Sequence, residues 1–307
     1  MSKKFSLYGK NFFGDDINLP SKGKISDRFT ISPFSILNAR EGVWQSRKQR
    51  WVGLGIEGEI GRDAKAYSCN DGQKSKYDYL PDIKTGTSIF DPVICELFYK
   101  WFCPPNGQIV DPFAGGSVRG VVAHLLDFKY WGCDLSERQI EANHQQAEKI
   151  TPNDKPIWVC GDSTNELKNA PDADYIYSCP PYGNLEVYSD DPKDLSNMDY
   201  DKFLDAYYEI IKLSCQQLKP NRFACFVVGD FRNKQGFYND FVSETINAFI
   251  EAGLKLYNEC ILITPVGSLP IRITKQFEAA RKMGKTHQNI LVFVKGDPKI
   301  ATTKIKP

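Results

Sequence analysis

The chain has 307 residues, of which 39 are Lys or Arg and 38 Asp or Glu, for a formal net charge of +1. That length holds one large core with a smaller appendage, and the near-neutral balance excludes a polycation. Any nucleic-acid surface must therefore arise from local segregation of charge.

Nine cysteines are scattered without a CxxC pair or zinc spacing, so no metal site is expected and most cysteines read as small core residues. No apolar run has the length of a membrane span, and the start "MSKKFSLYGKNFFGDD" lacks the apolar core of a signal peptide. The expectation is a soluble protein of a reducing cytoplasm, with no membrane partner.

Residues 1–80 are rich in Gly, Ser, basic and aromatic residues with little sustained periodicity, and read as an irregular basic arm. Within "SKGKISDRFTISPFSILNAREGVWQSRKQRW" (21–51), Arg28, Arg47, Lys48 and Arg50 interleave with Phe29, Phe34, Trp44 and Trp51. Cations suit phosphates and aromatics suit bases, but the same aromatics could pack the arm onto the main domain.

Residues 81–300 form the main domain, with 301–307 a short tail. From residue 84 the pattern alternates helices with short apolar strands. "DPVICELFYKWF" (91–102) is a helix, and "GQIVDPF" a buried strand. "SVRGVVAHLLDF", "KYWGCDLS", "ERQIEANHQQAEKI" and "IWVCGD" continue as helix, strand, helix, strand. "ADYIYSCPP" is a fourth strand, "YDKFLDAYYEIIKLSCQQL" a long helix and "RFACFVVGD" a fifth strand. The helix "NDFVSETINAFIEAG" precedes two last strands, "LKLYNECILIT" and "QNILVFVKG", joined without a long crossover helix. The predicted fold is α/β: a seven-stranded, mostly parallel sheet with helices on both faces and an antiparallel edge strand.

Open sheets of this kind bind ligands at the carboxyl ends of their strands. There "VDPFAGG" places Asp111 and the pair Gly115–Gly116 directly before a helix. Asp134 ends the next strand, where a carboxylate can reach both hydroxyls of a ribose, and Asp162 ends the third, near the place of an adenine ring. The spacing is neither the dinucleotide GxGxxG nor a Walker motif, and three acids suit a neutral or cationic nucleoside better than a polyphosphate.

"DPFAGG", Asp134 in "GCDLS", Asp162 in "CGDS" and the loop "CPPY" together resemble the S-adenosylmethionine (SAM)-dependent DNA amino-methyltransferases, which methylate adenine N6 or cytosine N4. The chain looks like the small bacterial or phage-borne kind, and the likeness spans roughly residues 84–296. It implies a Rossmann-like class I methyltransferase fold, SAM as cofactor and DNA as partner, with a homodimer conceivable. It also implies that Asp111, Phe113 and Gly115 surround the methionine and ribose of SAM, that Asp134 holds the ribose hydroxyls, and that Asp162 holds the adenine amino group. Pro112, Ala114, Gly116, Leu135 and Ser163 complete these motifs. "KTGTSIFDP" (84–92) is similar to the remaining cofactor motif, with Thr87, Ser88 and Phe90 at the methionine end.

An exocyclic amine is a poor nucleophile, and two rigid hydrogen-bond acceptors can draw its nitrogen toward a tetrahedral shape. The proline pair Pro180–Pro181 stiffens the loop and exposes the Pro180 carbonyl, while Tyr182 offers a face to a flipped base. The family has Asp, Asn or Ser before the prolines, whereas this chain has Cys179, a weak acceptor. Four readings stay open. Ser178 or the backbone compensates, with serine at the acceptor position pointing to cytosine N4; or Cys179 attacks C6 of a pyrimidine so that C5 is methylated. Otherwise the site only binds, or "SCPPY" is an ordinary turn. An RNA or protein methyltransferase could share the fold.

The polar stretch 183–199 reads as a mobile loop over the bound base. The segment "TPVGSLPIRITKQFEAARKMGKTH" (264–287), with Arg272 and Lys275, has a charge excess that suits a strand of phosphates or a solvated basic helix, and His287 either contacts DNA or simply joins strand and helix.

Overall fold

The computed structural model describes residues 24–57, 90–151, 155–182, 194–267 and 269–305. Thr87 and Ser88 lie outside the described residues, as do the proposed boundary at residue 80 and most of the loop 183–199.

Eight strands form one sheet: β1 (Ile36–Asn38), β2 (Gln108–Asp111), β3 (Lys129–Asp134), β4 (Ile157–Cys160), β5 (Ala173–Ser178), β6 (Leu218–Val228), β7 (Lys255–Ile263) and β8 (His287–Lys295). Their order is β1-β7-β8-β6-β5-β2-β3-β4. Every adjacent pair is parallel except those made by β8, which runs against both β6 and β7. Seven of these strands make the expected open, mostly parallel α/β sheet. The reversed strand sits inside β7 rather than at the margin, and the eighth strand, β1, comes from the arm.

The central strands β2, β5, β6 and β8 are buried along most of their length, and alternate residues serve two cores. Tyr175, Tyr177, Phe223 and Cys225 face a core completed by the helices α3 (Pro92–Phe102) and α4 (Val118–Leu125). Ile176, Ala224 and Phe226 face the other, filled by Phe203 and Tyr207 of α7 (Tyr200–Gln217) and Phe241 and Phe249 of α8 (Phe241–Glu251). Capping sets where helices begin: Asp91 accepts from Val93 N and Pro92 opens α3, while Ser136 accepts from Gln139 N ahead of α5 (Glu137–Ile150).

The described part of the arm is not irregular. It forms α1 (Lys24–Phe29), β1 and α2 (Gly42–Gly53), and β1 pairs in parallel with β7 through Ile36–Asn38 and Ile261–Ile263. Trp44, Arg47 and Trp51 lie on one face of α2 and are each 2% exposed. Covering β7 with a short strand also protects a sheet edge that would otherwise present unpaired backbone groups.

Six of the described cysteines are buried and none is in a disulfide. No described helix is long and apolar enough to cross a membrane.

Candidate active site

At the carboxyl ends of the strands lies a cavity of about 1120 Å³. One side is built by the strand tips. Gly115 has φ +48°, a left-handed conformation that favours glycine, and its backbone is held at both ends. Its N–H donates to Asp134 Oδ2 at 2.8 Å, and its carbonyl accepts from Asn143 Nδ2 of α5 at 2.8 Å. Ser136 N–H donates to Asp134 Oδ1 at 3.0 Å, so each carboxylate oxygen is oriented and keeps a lone pair for a ligand. Burial raises the pKa of Asp134, against the pull of these two backbone donors.

Asp162 caps the short helix α6 (Ser163–Glu166) through Oδ1 alone, which accepts from Thr164 N and Oγ1 at 2.9 and 2.7 Å. Ser163 Oγ donates to Pro112 O at 2.6 Å and locks the two strand tips together. Phe90, Pro112, Phe113, Gly116, Leu135 and Ser163 join Gly115, Asp134 and Asp162 in the wall of the cavity.

Asp111 and Ala114 do not. Both are fully buried, and Asp111 points into a network of its own. Its Oδ2 accepts from Arg119 Nε at 2.5 Å and Tyr130 OH at 2.7 Å, and its Oδ1 from Ser178 Oγ at 2.5 Å and Phe113 N at 3.2 Å. The expectation that Asp111 touches the cofactor is therefore corrected. A carboxylate without solvent needs a cation and donors, and α4 supplies Arg119. The guanidinium also donates to the carbonyls of Phe113 and Ala114, with the Phe90 ring 4.7 Å away. Ser178 is corrected with it: its hydroxyl is spent on Asp111, is absent from the cavity wall and is fully buried.

The other side of the cavity is the loop after β5. Cys179, Pro180, Pro181 and Tyr182 all line it. Tyr182 is pinned: its hydroxyl accepts from Gln288 Nε2 at 2.9 Å, and its ring meets Phe241 edge-on at 6.3 Å. Cys179 Sγ lies 4.0 Å from the same hydroxyl. Facing the loop are Asp230, Lys285 and His287. Asp230 accepts from Val242 N at 3.0 Å, and Lys285 lies beside Gly229. Burial lowers the Lys285 pKa against the attraction of Asp230, and burial together with Lys285 lowers that of His287.

The residues expected to bind nucleic acid separate. Arg47 is withdrawn from solvent: it pairs with Glu96 of α3 through both Nη2 and, at 2.6 Å, Nε. Trp51 Nε1 and Lys100 Nζ donate to the same carboxylate at 3.0 and 2.6 Å. Burial favours the neutral acid, but Arg47 and Lys100 outweigh it and the Glu96 pKa falls. Arg47 is thus a bolt between arm and domain. Lys48 lies in the cavity wall, 3.4 Å from Asp91 Oδ2, and Arg50 is half-buried on α2. Arg28 is exposed beside Phe29, and Lys275 is exposed on α9 (Leu269–Ala280), the helix that also carries Arg272.

Arg119 and Gln288 were missed from sequence. An acid inside the apolar run "QIVDPF" does announce a buried cation, and Arg119 is the first one downstream; nothing local announces Gln288.

No protein-family model and no curated protein matches the chain. Solved structures align with part of the chain. TrmN from Thermus thermophilus aligns at 14% identity over 67% of this chain and 49% of its own, about half its length, with a TM-score of 0.46. A methyltransferase from Pyrococcus furiosus aligns at 13% identity over 72% and 88%, with a TM-score of 0.42. Magnesium protoporphyrin IX methyltransferase (ChlM) from Synechocystis PCC 6803 with bound SAM aligns at 11% over 62% and 71%, with a TM-score of 0.40.

Proposed function

We propose that the protein is a SAM-dependent methyltransferase acting on an exocyclic amine of a DNA base turned out of its stack, cytosine N4 or adenine N6. One observation carries the reading: a single cavity is walled on one side by Gly115, Asp134 and Asp162 and on the other by the Cys179–Tyr182 loop. A nucleoside cofactor and a planar substrate need that adjacency.

The residues present suit SAM. Gly115 admits a ligand close to the backbone, Asp134 offers two oriented oxygens to the ribose, and Asp162 keeps Oδ2 for the adenine amine. When bound, SAM supplies an electrophilic methyl group on a sulfonium, chemistry that calls for no metal. Phe90 and Phe113 contribute apolar walls, and Lys48 with Asp91 places opposite charges beside Phe90.

On the substrate side, the Pro180 carbonyl accepts one hydrogen of the amine. The second acceptor is not Ser178, whose hydroxyl serves Asp111. It falls to the Cys179 sulfur or to a water held in the cavity, so the loop works with one strong acceptor and one weak one. Tyr182, held by Gln288, gives the base a stacking partner whose position is already set. The one proton that the methylated amine loses passes to water.

The exposure of Cys179 to the cavity favours one second reading, attack on C6 of a pyrimidine and methylation at C5. That chemistry needs a thiolate, and the Cys179 sulfur lies 4.0 Å from the Tyr182 hydroxyl. Mass spectrometry of nucleosides from DNA incubated with protein and SAM tests both. N4-methylcytosine or N6-methyladenine is expected; 5-methylcytosine would transfer the role to Cys179, and no methylated nucleoside would overturn the DNA reading.

A further inference from the structure

Between β6 and α8 the chain leaves the cavity wall at Asp230 and Phe231, makes a tight excursion, and returns. Arg232 and Tyr238 face each other as an antiparallel bridge. Asn233 N–H donates to Phe237 O at 2.8 Å, Phe237 N–H to Asn233 Oδ1 at 3.0 Å, and Gly236 N–H to Asn233 O at 2.9 Å. The Arg232 guanidinium lies 4.0 Å from the centre of the Tyr238 ring and donates to Gly236 O at 2.8 Å. Gly236 closes the turn at φ +94°, and a side chain there would come within 2.6 Å of Lys282 Nζ, so the segment after α9 buttresses the tip.

On this stiff tip Phe237 is 71% exposed. A lone exposed aromatic is ordinary, but its setting here is not. The hairpin is fixed by its own hydrogen bonds, its base is part of the cavity, Arg232 and Lys234 belong to it, and Lys282 reaches Gly236 at its turn. Tyr238, 42% exposed, lies next to Phe237 under the Arg232 guanidinium, so the tip joins aromatic rings to cations. Phosphates flanking a stack of bases match both features.

We propose that Phe237 is a wedge that enters the base stack of duplex DNA as the target base swings into the cavity, with Arg232, Lys234 and Lys282 on the adjoining phosphates. This rests on the base-methylation reading above. Turning a base out leaves a gap and costs unstacking, and an apolar side chain that fills the gap holds the open state. A ring on a pre-formed hairpin does so with little further ordering.

The test compares methyl transfer from labelled SAM to duplex DNA of mixed sequence and to the same DNA heat-denatured. Phe237→Ala should slow transfer to duplex by about tenfold or more, since unstacking costs a few kcal/mol, and should leave transfer to denatured DNA nearly unchanged. Phe237→Trp should restore the duplex rate, and the thermal midpoint of both variants should match the parent. Equal rates for parent and Phe237→Ala on duplex, or equal losses on both DNA forms, would overturn the wedge and leave base methylation standing. So would sedimentation showing that Phe237→Ala splits a dimer, which would make the tip an interface between copies. If the unaltered protein methylates neither form, the base-methylation reading fails and the wedge with it.

Discussion

Ser178 Oγ lies 2.5 Å from Asp111 Oδ1, so the last residues of β5 and β2 are joined by one buried hydrogen bond. Through it the tip that leads into Gly115 and the tip that leads into the Cys179–Tyr182 loop share one anchor. Arg119 and Tyr130 hold the other carboxylate oxygen. Ser178→Ala should therefore lower the free energy of unfolding by about 1–3 kcal/mol, the usual cost of leaving a buried polar group without its partner. Turnover per folded molecule should fall only modestly. Urea unfolding and steady-state kinetics check this: a collapse of kcat at unchanged stability would instead make Ser178 a direct acceptor.

Arg47→Ala should cost about 3 kcal/mol, the low end for breaking a buried ion pair, because Glu96 loses its buried cation and keeps Trp51 and the part-exposed Lys100 as donors. Replacing both partners, Arg47→Met with Glu96→Leu, should recover most of that loss in urea titrations. Where the double variant is folded, the salt dependence of its DNA affinity should match the parent's. A shallower slope would restore Arg47 to the phosphate-binding set.

For Asp134 the direction of the pKa shift gives two opposite pH trends. The folded protein binds its proton more tightly than the unfolded chain does, because burial raises the pKa. This group's contribution to stability is thus full at acid pH, below the unfolded pKa, and is lost as pH rises through the raised folded value. Affinity for SAM runs the other way, since ribose hydroxyls need the ionised acceptor. Calorimetric titration should show SAM binding weakening on acidification at a higher pH than an ordinary carboxylate would give. Asp134→Asn should weaken it by about ten- to a hundredfold, as expected for a hydrogen bond to a charged group worth about 1.5–3 kcal/mol.

Cys179→Ser should retain or raise turnover, since a hydroxyl is a better acceptor than a thiol. Abolished turnover, together with a covalent adduct of the parent on a pyrimidine that resists transfer, would make the thiol a nucleophile. Intact-mass measurement separates the outcomes.

Tyr182→Ala should raise KM for DNA by an amount equivalent to about 1–3 kcal/mol of base stacking while leaving SAM affinity nearly intact. Gln288→Ala, which only frees the phenol, should have a smaller effect of the same kind. Equal loss of SAM and DNA affinity on Tyr182→Ala would remove the stacking role.

The arm shows where sequence reading stops. Its interleaved Arg, Lys and Trp residues are compatible with a phosphate-binding strip, yet Trp44, Arg47 and Trp51 recur at helical spacing and form the buried face of α2. The partner that settles the matter, Glu96, is 49 residues away and looks like any helical acid until α2 is laid on it. The alternation of strands and helices, the glycine turn at Gly115 and the proline loop are local features, set by backbone preference and periodicity, and these were legible from the residues. Which carboxylate faces a ligand is not local. Asp111, Asp134 and Asp162 all end strands, but Asp134 and Asp162 line the cavity while Asp111 turns to Arg119, Tyr130 and Ser178. A strand end fixes where a side chain starts; only the elements packed around it decide whether its charge meets solvent, a ligand or a buried cation.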